Sequence, residues 1–224
     1  MKKIIIAIDG PAGSGKTSSA KLIAEKLNYI YIDTGAMYRA VTLAWLRSNA
    51  ELTDDVLAKI IDEINIDLKP SSNGQITLLN GVDVSEEIRS VKVNQFVSPV
   101  SANKYVRSKL IEIQHKFGKE KCCVMDGRDI GTTVFPNAEL KIYLIASINE
   151  RAKRRLLEYQ QKGLTDLSFD EIVEQITTRD EYDSTRQVSP LRKADDAIEI
   201  DTSGLTLEQQ VDKIYQMAVD VINA

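Results

Sequence analysis

The feature that most constrains this chain is a glycine-rich segment, Gly10–Thr17, with the sequence GPAGSGKT. It matches the pattern of a glycine, four free positions, a second glycine, and then lysine followed by serine or threonine. The preceding run, Lys3–Ile8, is short, apolar and β-branched, which is typical of a buried parallel strand. After the segment, apolar residues from Ala20 to Leu27 recur at the spacing of one helix face. A strand, a glycine-rich loop and a helix in this order predict an α/β fold with an anion-binding loop.

Each residue type in this segment has a physical reason to bind phosphate. Glycines allow backbone angles that turn several N–H groups toward one concavity, and the following helix adds the positive end of its dipole. The ammonium group of Lys16 reaches the outer phosphates, and the hydroxyl of Thr17 binds Mg²⁺. The alternative is a glycine-rich turn that precedes a helix by chance. We predict a nucleoside-triphosphate site, and its residues are Gly10, Pro11, Ala12, Gly13, Ser14, Gly15, Lys16, Thr17 and Ser18.

The composition argues against some other classes of partner. The chain has 224 residues, a formal net charge of −4 and 43% hydrophobic residues. These values are ordinary for a globular protein of one domain, or of one domain with an insert. The acidic charge argues against broad binding of nucleic acid or of an anionic membrane surface. No apolar run approaches the ~20 residues of a membrane-spanning helix, so we expect a cytoplasmic protein.

Five short apolar segments alternate with amphipathic helical patterns along the chain. This alternation predicts a five-stranded parallel sheet covered by helices on both faces, a three-layer fold of the P-loop type. The predicted strands are Lys3–Ile8, Tyr29–Ile32, Cys122–Met125, Leu140–Ile145 and Ala197–Ile200.

The pattern changes in the middle of the chain. Apolar and polar residues alternate over Ile66–Leu68 and again over Ile76–Leu78. The dipeptide Asn80-Gly81 after these runs is a strong signal for a two-residue hairpin. We predict a small antiparallel β subdomain inserted into the core. The core comprises residues 1–61 and 99–224, and the insert comprises residues 62–98.

Polar residues follow the second strand, at the edge where open α/β sheets bind ligands. The strand ends in Asp33-Thr34-Gly35, and Thr34 is a good N-cap for a helix from about Ala36 to Arg47. Arg39 then lies in the next turn, on the same rim as the glycine-rich loop. Arg39 is either a phosphate contact or a solvated helix charge. Thr34 either caps the helix only or also contacts the ligand.

The third strand brings a second charged segment to this rim, Asp126-Gly127-Arg128-Asp129. An apolar strand that ends in aspartate is similar to the second nucleotide motif, whose carboxylate supports Mg²⁺. Asp126 is therefore a candidate for that role. Arg128 and Asp129 either bind the ligand or form a salt bridge with each other.

The helix after the fourth strand is densely basic for an acidic chain. Its charges form either a solvated face or a mobile cover, at about residues 150–168, whose arginines meet a transferring phosphoryl group. The basic residues are Arg151, Lys153, Arg154 and Arg155.

The next helix opens with a capping box, Ser168-Phe169-Asp170-Glu171. Its apolar stripe through Ile176 continues, by the helical step, to Arg179, Asp183 and Arg186. These charges form either a surface ion pair or an anion site that faces inward. The second interpretation follows from the apolar residues that share the stripe.

Four of these motifs together resemble the bacterial cytidylate kinase family. The resemblance runs from the first strand to the last helix and includes the insert, which is similar to that family's enlarged nucleoside-monophosphate-binding domain. The motifs are Gly10–Thr17, Asp33–Arg39, Asp126–Thr132, and Arg179-Asp180 followed by Asp183 and Arg186.

The resemblance implies transfer of the γ-phosphoryl group of ATP to CMP or dCMP, with Mg²⁺, giving ADP and CDP or dCDP. It also implies roles for single residues. Those implied to be catalytic are Lys16, Arg128, Arg179 and Arg186. Those implied to recognise cytosine are Ser98, Arg107 and Asp129. Those implied to bind the monophosphate are Arg39, Arg128 and Arg186, with Arg179 and Asp183 close to the ribose and phosphates. Thr34 keeps the hydroxyl of the serine that is common in the family.

Two other functions stay open from the residues alone. One is a P-loop kinase with a different acceptor, another nucleoside monophosphate or a small metabolite, although the large insert favours a nucleotide. The other is a nucleotide-dependent switch that binds a partner protein, although the sequence has no Asn-Lys-x-Asp guanine-reading signature. For the kinase we expect a monomer whose partners are ATP and CMP or dCMP.

Overall fold

A computed structural model of the chain describes residues 2–71, 74–161, 163 and 167–224. The strands are β1 (Ile5–Asp9), β2 (Ile30–Asp33), β3 (Ile66–Ser71), β4 (Gly74–Leu79), β5 (Val82–Asp83), β6 (Cys123–Gly127), β7 (Leu140–Ile145) and β8 (Ile198–Asp201). The α-helices are α1 (Lys16–Leu27), α2 (Thr34–Ser48), α3 (Asp54–Glu63), α4 (Val91–Ala102), α5 (Lys104–Gly118), α6 (Ile148–Gln161), α7 (Phe169–Thr185) and α8 (Leu207–Asn223). A 3₁₀ turn (Glu87–Arg89) precedes α4, and a π-helical turn (Ile130–Val134) follows β6. Part of the predicted cover, residues 162 and 164–166, lies outside the described residues.

The strands form two sheets. Five of them make a parallel sheet in the order β2-β6-β1-β7-β8. The other three, β3, β4 and β5, form an antiparallel sheet. The predicted fold class, a five-stranded parallel sheet with a small inserted antiparallel sheet, is confirmed. Because the five strands are parallel, their carboxyl ends all reach the same edge.

Alternation along β1 shows how the parallel sheet is covered on both faces. Ile5 and Ala7 belong to one apolar cluster, whereas Ile6 and Ile8 belong to another. The Ile6 side packs on α1 and α8, and the Ile5 side packs on α2 and α5. The three-layer arrangement therefore follows from a central strand that is apolar on both faces from Ile5 to Ile8.

The small antiparallel sheet shares the core of the larger one. Its residues Ile66, Leu68 and Leu79 are buried in the same cluster as Ile5 and Met125 of the parallel sheet. The predicted boundary between residues 98 and 99 falls inside α4, a helix that we did not predict. The division into a core and an insert stays a prediction, and one continuous apolar cluster joins the two parts.

Helix α2 begins at Thr34, two residues before the expected start at about Ala36, and the prediction of Thr34 as its N-cap is wrong. The cap is Asp33, whose Oδ1 accepts a hydrogen bond from the N–H of Ala36 at 2.9 Å. Asp33 has extended backbone angles, as a cap requires, whereas Thr34 already lies in the helix. The hydroxyl of Thr34 instead donates to the carbonyl oxygen of Asp126 at 2.7 Å. This bond ties α2 to β6.

Helices α6 and α7 pack on each other through a small apolar cluster of their own. Ala152 of α6 contacts Ile172 and Ile176 of α7, and all three are buried. The predicted capping box of α7 is confirmed, because Ser168 and Glu171 exchange both hydrogen bonds. Across the described ranges, none of the helices has the length and apolarity needed to cross a bilayer.

Candidate active site

The glycine-rich segment forms a tight loop between β1 and α1, as predicted. Gly10 has φ +145°, and a Cβ atom there would lie 2.1 Å from the carbonyl oxygen of Leu144. Gly13 and Gly15 have φ of +78° and +89°. Any other residue at position 10 would clash with β7. The loop therefore lies directly on the sheet edge and leads into the N-terminus of α1, where backbone N–H groups favour anions.

Lys16 lies inside the curve of this loop. Its Nζ donates to the carbonyl oxygen of Pro11 at 2.6 Å and to Oγ of Ser14 at 3.3 Å. The residue is only 5% exposed. Burial, together with the nearby Arg128 guanidinium, lowers the pKa of Lys16 well below its ordinary value. The negative charge of a bound anion would favour the protonated ammonium group and so raise this pKa.

Thr17 and Asp126 meet at the base of the loop, and their oxygens suit a magnesium ion. Oγ1 of Thr17 donates to Oδ2 of Asp126 at 2.8 Å, and the Tyr31 hydroxyl donates to Oδ1 at 2.8 Å. Burial and the neighbouring Asp33 raise the pKa of Asp126 to about 6. Hydroxyl and carboxylate oxygens are the ligands that Mg²⁺ prefers when substrate phosphates complete its shell. In the described ranges, no three Asp, Glu, His or Cys side chains form a metal site by themselves.

A cleft of about 710 Å³ opens over this part of the sheet edge and gathers the predicted charges. The residues that line it include Lys16, Thr17, Arg39, Arg89, Asp126, Arg128 and Arg179. A second cavity, of about 750 Å³, lies between α4 and α7 and is lined by Ser98. The two cavities share Ala12, Arg155 and Arg179. The phosphate loop and three of the predicted arginines thus face one space.

Asp183 organises the arginines on the far side of the cleft. Its Oδ2 accepts from Nε of Arg128 at 2.9 Å and lies 3.9 Å from Nε of Arg179. Its Oδ1 lies 3.8 Å from Nη1 of Arg186. The Asp183 side chain is only 4% exposed, so the alternative of a surface ion pair is wrong. Arg186 caps the C-terminus of α7, one residue beyond the helix.

The same contacts decide between the alternatives for Arg128 and Asp129. Their mutual salt bridge, the alternative to a role in ligand binding, is not formed, because Arg128 pairs with Asp183. Asp129 instead pairs with Arg107, and its Oδ1 lies 3.6 Å from Nη2 of Arg186. Both members of the Arg107–Asp129 pair are buried, at 1% and 4% exposure. Arg107 Cζ also lies 5.4 Å from the centroid of the Tyr38 ring.

Several cations at the cleft are buried and lie close to other cations. Burial, followed by the charges of Arg128 and Arg39, lowers the pKa of Arg179 to about 9. Burial lowers the pKa of Arg39 to about 10. Within the described residues, Nε of Arg179 and Nη2 of Arg186 are buried without a hydrogen-bond acceptor. Crowded, desolvated cations with unpaired donors are typical of a site that binds an anion.

Two predicted site residues lie at the margin of this cluster. Arg39 donates to the side-chain oxygen of Asn94 in α4. Ser98 is connected to the Arg107–Asp129 pair through backbone carbonyl groups. Its carbonyl oxygen accepts a hydrogen bond from the Ser101 hydroxyl at 2.9 Å. The carbonyl oxygen of Ser101 in turn accepts from Nη1 of Arg107 at 3.0 Å. Ser98 therefore stands near the pair without touching it.

Sequence analysis did not single out Arg89, which also lines the cleft. Its Nη2 donates to Oδ2 of Asp33 at 3.0 Å, and Gln75 of β4 accepts from the N–H of Asp33 at 3.0 Å. Both contacts join the small sheet segment to the rim of the large one. Arg89 belongs to no motif or periodic pattern, so the sequence offered no signal for it.

The basic residues of α6 differ in what they contact. Arg151 is buried and binds the backbone of Ala146 and Ala12. Arg154 donates to the carbonyl oxygen of Thr202 at 2.7 Å, and Lys153 is exposed. Arg155 lines the cleft and pairs with Glu158 at 3.0 Å. Arg154 lines the same cleft, so the cover contributes two arginines to it.

Comparison with known proteins agrees with this geometry. The sequence profile described as cytidylate kinase matches residues 6–220. The chain is 50% identical over 217 residues to the cytidylate kinase of Bacillus velezensis, and 50% identical over 216 residues to that of Bacillus subtilis; each alignment covers 96% of both chains. It is 48% identical over 223 residues to the cytidylate kinase of Caldicellulosiruptor saccharolyticus, covering 99% of this chain and 98% of the relative.

Proposed function

The chain belongs to the cytidylate kinase family, and from this premise we propose that it transfers the γ-phosphoryl group of ATP to CMP or dCMP, with ADP and CDP or dCDP as products. The observation that carries the proposal is the single cleft in which the phosphate loop faces Arg39, Arg128 and Arg179. A donor phosphate chain on the loop would have its γ-phosphate directed toward these arginines. An acceptor monophosphate held by them would lie in line with it.

On the donor side, backbone N–H groups of the loop and the Lys16 ammonium hold the phosphates of ATP. Lys16 is drawn into the loop by the Pro11 carbonyl oxygen, so its charge is already placed before ATP binds. Mg²⁺, held by Thr17 with Asp126 behind it, would offset charge on the β- and γ-phosphates. These groups act as fixed charges and need no covalent intermediate.

On the acceptor side, Arg39, Arg128, Arg179 and Arg186 bind the monophosphate and meet the negative charge that spreads over the transferring group. Asp183 keeps this set of like charges together before the acceptor binds. A cover that closes over the cleft would exclude water, which would otherwise compete as an acceptor. We propose Lys16, Arg128, Arg179 and Arg186 as the catalytic residues.

The Arg107–Asp129 pair is the proposed reader of the base. A carboxylate accepts a hydrogen bond from the exocyclic amino group of cytosine, whereas the corresponding oxygen of uracil would face it as a second acceptor. Nη1 and Nη2 of Arg107 donate to Ser101 and Asp129, which leaves Nε as its donor for the ring nitrogen or carbonyl of the base. Ser98 and Thr34 complete the proposed substrate contacts from α4 and α2.

The alternative acceptor, another nucleoside monophosphate, remains the second candidate because the phosphate contacts alone do not distinguish bases. The buried Asp129 carboxylate favours a base that presents an amino group. We further propose that the enzyme is cytoplasmic and monomeric. Light scattering coupled to size-exclusion chromatography tests the monomer.

A coupled assay of ADP formation with ATP, Mg²⁺ and a panel of monophosphates tests the function. We expect the highest kcat/KM for CMP and dCMP, a much lower value for UMP, and little ADP without an acceptor. Chelation of divalent cations should stop the reaction, and added Mg²⁺ should restore it. A preference for AMP, GMP or UMP would support the alternative. ADP formation with no monophosphate at all would contradict both.

A further inference from the structure

The peptide groups of Ala12, at the tip of the phosphate loop, are held by two side chains from outside the loop. The N–H of Ala12 donates to Oδ1 of Asp180 at 3.1 Å, and its carbonyl oxygen accepts from Nη1 of Arg151 at 3.1 Å. Arg151 and Asp180 are also hydrogen-bonded to each other. One residue of α6 and one of α7 therefore bind both backbone polar groups of the same loop residue.

Arg151 is itself fixed, which makes this contact rigid. Its Nε donates to the carbonyl oxygen of Ala146, just after β7, at 3.0 Å. The side chains of Arg151 and Asp180 are only 11% and 18% exposed. A Cβ atom on Gly13 would lie 3.0 Å from Cβ of Arg151, so the loop and α6 are in close contact there. The ion pair thus joins the sheet edge, the phosphate loop and α7.

The position of Asp180 in α7 connects its contact with Ala12 to the arginines of the cleft. Asp180 follows Arg179, which lines the cleft, and precedes Asp183, which holds Arg128. The bond from Ala12 to Asp180 therefore sets the distance between the donor loop and the acceptor arginines. The N–H of Ala12 is engaged by a carboxylate, so its part in the site is to orient the loop and not to bind phosphate.

We propose that Asp180 and Arg151 form a positioning pair that holds the phosphate loop in register with the arginines of α7, so that donor and acceptor phosphates are aligned for transfer. A loop with three glycines at positive φ has many accessible conformations, and two side-chain contacts at its tip select one of them. The pair touches neither reacting group. This inference rests on the proposed function for its acceptor side.

Asp180→Asn is the test, because it removes the charge and preserves the shape. Glu181→Gln is the matched control, since Glu181 is the next residue on α7, has the same charge and is exposed. We expect kcat for CMP phosphorylation to fall about 10- to 100-fold in Asp180→Asn, the range expected for misplaced reactants. The KM for CMP and the CMP/UMP preference should stay close to the wild type, whereas the Tm should fall because the buried Arg151 loses its charge partner. Glu181→Gln should match the wild type in every respect.

A double-mutant cycle with Arg151→Gln separates positioning from simple packing. We expect Arg151→Gln to lower kcat by a similar factor and the double variant to lose no more than either single variant, because each change breaks the same pair. A kcat of Asp180→Asn within twofold of the wild type, or single losses that multiply in the double variant, would overturn the inference.

The affinity for a non-hydrolysable ATP analogue, measured by calorimetry without any acceptor, keeps this test separate from that of the proposed function. We expect about tenfold weaker binding in Asp180→Asn and unchanged binding in Glu181→Gln. If the wild type phosphorylates no monophosphate, the proposed function is wrong while this measurement still decides whether the pair positions the loop. Equal affinity of Asp180→Asn and wild type would count against the pair.

Discussion

The two sides of the proposed site offer opposite means of binding an anion. The donor side is one continuous segment whose ligands are mainly backbone N–H groups, with Lys16 as its single buried cation. The acceptor side is assembled from α2, the end of β6, and α7, and its ligands are guanidinium groups. Backbone dipoles can be concentrated at one point without repulsion between net charges. Arginines can be concentrated only with counter-charges, which Asp183 and Asp129 provide.

This difference predicts which substitutions lower the activity without lowering the stability. On the donor side a substitution removes a charge that the folded protein holds against its preference, since burial lowers the pKa of Lys16. On the acceptor side a substitution in a carboxylate leaves buried arginines without a partner. Donor changes should therefore affect mainly the rate, and acceptor changes should affect both.

The largest expected effect is on the donor side. Lys16→Ala should lower kcat/KM by about 10³-fold or more, because a fixed charge on the transferring phosphates is lost. Its Tm should not fall, since a buried cation is removed. Lys26→Ala is the control, as Lys26 lies on the same helix, is about half exposed and pairs with Asp212 at the surface. An undiminished rate in Lys16→Ala would contradict the assignment of the loop.

The acceptor side should show the largest loss of stability. Asp183→Ala should lower the free energy of unfolding by about 3–5 kcal/mol, the usual effect of leaving a buried charged residue without its partner. Urea denaturation measures this value, with Glu181→Ala as an exposed control on the same helix. A loss as small as that of the control would mean that Arg128 and Arg186 do not depend on Asp183.

A substitution in the proposed base-reading pair, Arg107 and Asp129, should lower the selectivity for CMP more than the activity. Asp129→Asn should lower the ratio of kcat/KM for CMP to that for UMP by roughly tenfold or more, because the new amide can donate to uracil. The KM for ATP should not change. Asn is preferable to Ala here, since its amide oxygen can still accept a hydrogen bond from Arg107. A selectivity ratio equal to that of the wild type would exclude Asp129 from base recognition.

The smallest effect concerns Asp9, which joins the two sides. Its carboxylate accepts from the N–H groups of Ile130 and Gly131 at 2.9 and 2.7 Å, next to Asp129. Burial raises the pKa of Asp9 to about 7. Between about pH 4 and pH 7 the folded state therefore binds more protons than the unfolded state, so this contribution to stability falls as the pH rises. Asp9→Asn should remove it.

Urea denaturation at pH 5 and pH 7 measures this contribution. The free energy of unfolding of the wild type should fall from pH 5 to pH 7. We expect this fall to be larger than that of Asp9→Asn by roughly 1–3 kcal/mol. Equal losses in the two proteins would show that Asp9 does not titrate in this range.

The donor side could be predicted from the sequence because everything that defines it is local. The glycines, Lys16 and Thr17 are adjacent, and the flanking strand and helix have clear periodicity. The capping box at Ser168 is local in the same way. Asp33 as the cap of α2 was missed because two consecutive residues can both cap a helix, and only the backbone angles decide between them.

The acceptor side could be predicted only as a set of candidate residues. The partners of Arg128, Asp129 and Asp183 are far apart in sequence, so the rim residues were identified while their pairing was not. Helix α4 was missed because it is rich in valine and contains Pro99, both unfavourable in helices. Its packing on α2 overrides that preference. Arg89 and the Arg151–Asp180 pair had no signal other than their position in space.

The apolar cluster shared by the two sheets limits how acceptor specificity can be exchanged between relatives. Ile66, Leu68 and Leu79 pack in one core with residues of the parallel sheet. A chimera that transplants only the small sheet would cut through that core and leave mismatched side chains on both sides of the junction. Recombination should succeed only when the graft carries α3 and α4 with it, so that the transplanted unit keeps its own packing partners.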